Sequence, residues 1–164
     1  MSKKVYLANP YGFSLSQRFI ILPELMSVIK STSKKDIIEI WEPFDRNNQI
    51  DFSDKTWAYK VGQADVNDVL ECDAIFAVLN GNPPDEGVCV ELGIVIGYNR
   101  VNPSKKKGIF LYRDDFRKCT DSGEYPLNLM LFTDLPEHSW EDHYYTSFAD
   151  IHDPQKAFYK WVNS

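Results

Sequence analysis

A chain of 164 residues and 19.0 kDa has the length of one domain and is long enough to bury about 70% of its unfolded surface in a core that needs no cross-links. With 18 Lys and Arg against 24 Asp and Glu, a net charge of −6 and a pI near 5.0, a broad grip on a phosphate backbone is excluded, so no nucleic-acid polymer is expected as a partner. Cys72, Cys89 and Cys119 form no C-x-x-C pair and suit a reducing compartment. The apolar stretch after Met1 is too short for a signal peptide, and no run approaches the roughly 18 apolar residues of a membrane span. A cytoplasmic protein without a membrane contact is therefore expected.

Short apolar runs alternate with longer amphipathic segments, the pattern of parallel strands joined by crossover helices. Residues 5–9 read as the first strand, stopped by Pro10-Tyr11-Gly12. Residues 14–31 have helical spacing, with Pro23 predicting a kink or a second helical start. A second strand is expected over 36–44, a long helix over 52–72 and a third strand over 74–79, the most apolar and so central. The loop Asn80-Gly81-Asn82-Pro83-Pro84-Asp85 leads into a helix over 86–98, apolar almost all round and so expected to be buried. A fourth strand over 107–112, a loop around Ser122-Gly123, an apolar stretch over 127–132 and a terminal helix from Asp153 complete the order. The expected fold is a single-domain α/β doubly wound parallel sheet flanked by helices, flavodoxin-like or Rossmann-like. Such sheets bind ligands outside the carboxyl ends of their strands.

Three acids stand where acids are expensive. Glu91 shares a helical stripe with Val88, Val95 and Tyr98, and Asp65 shares one with Ala58, Val61, Val69 and Cys72. A buried carboxylate needs hydrogen bonds, a cationic partner or the dipole of a helix start, and any of these would explain one such residue alone. Asp85, directly before the Glu91 helix, reads by itself as an N-cap. Together they converge on the mouth after the third strand, where several carboxylates suit nucleophilic and acid/base work at an acetal-like carbon. Mutual repulsion is expected to raise at least one of their pKa values. His138, His143 and His152 fit no metal-ligand spacing, so no metal or other cofactor is expected. The run Lys105-Lys106-Lys107 reads as a solvated turn.

The stretch Asp85-Glu86-Gly87-Val88-Cys89-Val90-Glu91-Leu92-Gly93 resembles the D-x-G-x-x-x-E-L/I-G signature of the nucleoside 2-deoxyribosyltransferases. Tyr6, Asp65 with the following Asp73-Ala74-Ile75-Phe76-Ala77-Val78, and Pro126-Leu127-Asn128-Leu129-Met130 stand at that family's spacings, so the resemblance runs from about Val5 to Met130. It implies transfer of a 2-deoxyribosyl group between nucleobases without a cofactor, the substrates being a 2′-deoxynucleoside and a free base. Glu91 would attack C1′, Asp85 would protonate the leaving base, Asp65 would shape the base pocket and Tyr6 would orient Glu91. The resemblance also implies that Asn128 reaches the sugar of a neighbouring subunit's site, hence a homo-oligomer, and it sets Gly87 and Met130 among the substrate-binding residues. Asn47 is the expected base-reading residue, and Tyr11 or Phe13 the expected stacking surface. The family's pattern of a C-terminal aromatic entering the site meets Trp161-Val162-Asn163-Ser164 here.

Two other readings remain open from the sequence. One is a deoxynucleoside monophosphate N-glycosidase of the same superfamily, for which Ser14, Ser16 and Arg18 would supply an anion site while Asp85 would repel the phosphate. The other is a nucleoside-binding module without catalysis, since a fold does not fix a function.

Overall fold

The structure, a computed structural model, describes residues 2–34, 38–117 and 125–164. The expected Ser122-Gly123 loop, Cys119 and the first residues of the expected second strand lie outside these.

Five parallel strands, β1 (Lys3–Ala8), β2 (Ile38–Trp41), β3 (Ala74–Val78), β4 (Gly108–Tyr112) and β5 (Tyr144–Tyr145), form one sheet in the order β2-β1-β3-β4-β5. This is the doubly wound α/β fold that the alternating pattern predicts. Strand alternation sends Val5 and Leu7, Phe76 and Val78, and Phe110 and Tyr112 into one core and Tyr6 and Ala8, Ile75 and Ala77, and Ile109 and Leu111 into the other. The first core is covered by α1 (Leu22–Ser31), α5 (Phe148–Ile151) and α6 (Ala157–Val162), and the second by α3 (Trp57–Glu71) and α4 (Glu86–Val101). Connections leave β1 toward one side and β3 toward the other, so the topological switch point falls between these two strands, where a ligand crevice is expected.

Several boundaries differ from the sequence expectation for local reasons. Pro23 occupies the first turn of α1, where its missing N–H costs nothing, and a π-helical turn, Gln17–Ile21, precedes it. The second strand stops at Trp41 because Glu42 caps a short helix, α2 (Pro43–Arg46), through its side chain and the Asp45 N–H. The long helix begins at Trp57 rather than at 52, since Asp51 and Asp54 draw the N–H groups of Ser53 and Thr56 into side-chain turns. The helix carrying Glu91 is not buried all round: Leu92 and Val95 are buried, but Val90 is 63% and Val101 78% exposed. The aromatic C-terminal segment packs Phe158 and Val162 into the first core. Lys3, at the start of β1, donates to the Trp161 carbonyl and to Ser164, which puts the last residues at the strands' amino ends, away from the switch-point crevice. Among the described residues no helix is long and apolar enough to cross a membrane.

Candidate active site

At the carboxyl ends of β1 and β3 lies a cavity of about 660 Å³, lined among others by Asp65, Asp85, Gly87 and Glu91. That volume suits a small-molecule ligand. Each of the three carboxylates is tethered through one oxygen. The Tyr6 hydroxyl, on a fully buried β1 residue, donates to Glu91 Oε1 at 2.7 Å. Asn47 Nδ2 donates to Asp65 Oδ1 at 2.8 Å, and the Val88 N–H donates to Asp85 Oδ1 at 3.1 Å. Asp85 thus caps α4 and lines the cavity at once. For Glu91 Oε2, Asp65 Oδ2 and Asp85 Oδ2 no protein hydrogen bond is formed among the described residues.

Burial, with the negative charges of Asp65, Asp85 and Glu42 adding to it, raises the Glu91 carboxyl to about 7 against the pull of the Tyr6 hydrogen bond. Asp65 is raised as well, mainly by burial, with Asn47 opposing. The Tyr6 phenol is pushed far up by burial and by Glu91, so it stays a donor. Glu42, nearly fully buried, is the fourth acid of the region; it accepts from Asn9 and from the Asp45 N–H, and burial raises it too.

The outer part of the cavity is aromatic. Phe13 meets Phe44 edge-on at 5.2 Å, and Phe52 meets Trp57 at 5.2 Å. Gly12 is required there, because a Cβ on it would stand 1.8 Å from the Phe44 ring. A Cβ on Gly87 would lie 3.1 Å from Asp85 Oδ1, a tight contact that would push the carboxylate by a few tenths of an ångström. Arg18 reaches the rim with its guanidinium 5.1 Å from the Phe44 ring centre.

The nucleoside 2-deoxyribosyltransferase family model matches residues 5–130. The chain belongs to the nucleoside 2-deoxyribosyltransferase family. With that membership it is an enzyme, a nucleoside deoxyribosyltransferase. The fold agrees with two solved 2-deoxyribosyltransferases. That of Bacillus psychrosaccharolyticus aligns over 92% of this chain and 90% of its own at 19% identity and a TM-score of 0.61. That of Leishmania mexicana aligns over 98% and 97% at 20% identity, also with a TM-score of 0.61. A conserved protein of Enterococcus faecalis is similar over 87% of this chain and 72% of its own, at 21% identity and a TM-score of 0.50. No curated protein sequence matches the chain significantly.

Of the residues that sequence reasoning attaches to the family's site, Glu91, Asp85, Asp65, Asn47, Phe13 and Gly87 line one cavity, with Tyr6 directly behind Glu91. Tyr11 does not belong to it: the ring is 2% exposed, packed in the core on the other side of the sheet, and its hydroxyl accepts from Asn80. It is therefore no stacking surface. Asn128 and Met130 do not line the chain's own cavity. Asn128 caps the 3-10 turn Leu129–Phe132 through the Met130 N–H, and Met130 is 71% exposed. Phe44, Phe52 and Trp57 are cavity residues that the sequence reading passed over. Trp57 had a signal, since Trp57, Val61 and Asp65 repeat at four-residue spacing on one helix face and all three line the cavity. Phe52, on an irregular turn, had none.

Proposed function

We propose that the chain exchanges the nucleobase of a 2′-deoxynucleoside by double displacement through a covalent glycosyl ester on Glu91. The observation that carries this reading is the Tyr6–Glu91 pair beside Asp85 and Asp65. Tyr6 holds one carboxylate oxygen and stabilises the ionised form, which leaves Oε2 as the nucleophile. In the first half-reaction the bond from Glu91 to C1′ forms as the C1′–N bond breaks, and Asp85 gives its proton to a ring nitrogen of the leaving base. In the second, a ring nitrogen of the incoming base attacks C1′, gives its proton to Asp85 and releases Glu91. Two inversions give net retention. The anionic wall stabilises the cationic sugar in both transition states. Burial and the neighbouring acids raise the Glu91 carboxyl to about 7, and burial raises Asp65 as well.

The substrates would be a 2′-deoxynucleoside and a free base, with the base between the aromatic rim and the Asn47–Asp65 pair. The partner would be a second copy of the chain whose Asn128 completes the sugar site, in a cytoplasmic setting. Support for an oligomer comes from the exposed apolar surface of α4, Val90 and Val101, beside Val66 and Leu70 on α3 and Leu129 and Met130 on the turn after Asn128.

A second reading, hydrolysis of deoxynucleoside monophosphates, is favoured by one observation: Arg18 stands on the cavity rim. Ser14 and Ser16, just before it in sequence, share a hydrogen bond, and Ser16 makes no side-chain capping bond to its helix. The test is incubation with 2′-deoxyinosine and adenine, followed by chromatography, beside a sample lacking adenine. Formation of 2′-deoxyadenosine is expected. Base release confined to 5′-monophosphates would replace the transferase reading with the hydrolase.

A further inference from the structure

We infer that Arg113, buried just beyond the carboxyl end of β4, is a positioning residue for the reaction: it fixes the loop between β3 and α4 and, through that loop, the carboxyl group of Asp85. Arg113 does not line the cavity, and its role rests on the transferase reading, in which Asp85 is the acid.

Arg113 is 2% exposed. Its guanidinium donates through Nη1 to the carbonyls of Leu79 and Gly81, the latter at 2.7 Å, and through Nη2 to the Arg117 carbonyl at 2.6 Å. Among the described residues these partners are all carbonyls, and Nε has none. A buried charge without a counter-charge costs stability, so holding the core together does not account for it. What the planar fork does is tie the chain after β3 to the chain after β4. Asn80 joins the same two segments again. Its Nδ2 donates to the Tyr11 hydroxyl and to Asp114, and its Oδ1 accepts from the N–H groups of Asp114 and Asp115. The Gly81 N–H donates to Asp115 Oδ2 at 3.1 Å.

The loop turns back sharply at the residue that Arg113 holds: Gly81 has a φ of +108°, and a Cβ on it would lie 2.8 Å from the Pro83 carbonyl oxygen. Gly81 pairs with Pro84 in an antiparallel bridge, and the next residue is Asp85. On the far side α4 holds Asp85 through the Val88 N–H. Releasing the Gly81 and Leu79 carbonyls lets the entry to α4 shift, and Asp85 with it. A misplacement of about 1 Å costs a reacting group up to about a hundredfold in rate. Glu91, held by Tyr6 on β1, keeps its place.

The test compares base release in a single turnover, with the full chain in excess, from 2′-deoxyinosine and from 7-methyl-2′-deoxyguanosine. The methylated purine is already cationic, so the electron pair of the breaking C1′–N bond neutralises it and no acid is needed. Arg113→Met is expected to lower the saturating rate for 2′-deoxyinosine about tenfold or more, to leave its half-saturating concentration within about twofold, and to slow the methylated substrate less than about twofold. Arg113→Lys should recover part of the rate. Asn80→Ala, at a half-exposed position, loosens the same loop should Arg113→Met fail to fold, and is expected to show the same pattern with a smaller loss. Asp85→Asn sets the reference, with a loss of about a hundredfold confined to 2′-deoxyinosine. A loss that the two nucleosides share equally, a loss confined to the half-saturating concentration, or unchanged rates in folded Arg113 and Asn80 variants overturns the inference. If Asp85→Asn still shows its pattern then, the acid assignment stands without Arg113. If Asp85→Asn slows both nucleosides alike, or the unmodified chain releases neither base, the acid assignment falls and the inference with it. Where the methyl group bars the substrate from the unmodified chain, the split between saturating rate and half-saturating concentration decides alone.

Discussion

Glu91 is held by one hydrogen bond and opposed by burial and three nearby acids, and the balance leaves it titrating near neutrality. A nucleophilic carboxylate must be ionised, so kcat/KM for base exchange is expected to rise with pH through about 7. Tyr6→Phe removes the donor that lowers this pKa, and the acid limb of the pH profile should move upward while kcat falls about tenfold or more. Burying an ionised Glu91 also costs stability. The folded chain holds that proton more tightly than the unfolded chain, so this group's contribution to stability falls as pH rises from about 4.5 to about 7. Glu91→Gln is expected to abolish exchange yet raise stability by on the order of 1–3 kcal/mol at pH 8. Thermal unfolding at several pH values should show that gain fading below pH 4.5, the ordinary value of the carboxyl.

Helix α2 and the turn after it position the Asn47 side of the cavity. Arg46, stacked 4.4 Å over Trp41, makes two bonds to Asp68 on α3, at 2.7 and 2.6 Å, and the next residue is Asn47. Arg46→Ala is expected to cost about 1–2 kcal/mol in denaturant unfolding, since the half-exposed guanidinium leaves a nearly buried Asp68 unpaired. KM for the acceptor base should rise with it. Gly12→Ala forces the Phe44 ring aside and is expected to raise KM for nucleosides more than it lowers kcat. The elements themselves were legible where an apolar run is long. β3 and β4 come within one residue of the expectation because they are buried on both faces. β5 was not legible: two residues, Tyr144 and Tyr145, carry no periodicity, and only pairing with β4 makes them a strand. The terminal helix starts at Ala157 rather than Asp153, whose side chain instead takes the Gln155 N–H in a turn.

Across the whole molecule, the acids of the site were legible because a charge on an apolar stripe is conspicuous. The Tyr6–Glu91 pair came only with the family resemblance, and the Asn47–Asp65 bond was not expected, because these partners lie 85 and 18 residues apart in sequence. The same limit applies to Tyr11, whose loop position suggested a ligand contact but whose ring the fold sends into the opposite core. If Asn128 serves a neighbouring copy, two inactive variants should rescue one another. A mixture of Glu91→Gln and Asn128→Ala chains, dissociated and reassembled together, is expected to regain a fraction of the activity that neither has alone. A mixture as inactive as its parts would mean that each chain builds its own site. The most direct test of the central claim is mass spectrometry of the chain acid-quenched during turnover of 2′-deoxyinosine. A peptide containing Glu91 should carry one added deoxyribosyl group, lost when adenine is supplied before quenching. Steady base exchange with that peptide never modified would contradict a glycosyl ester on Glu91.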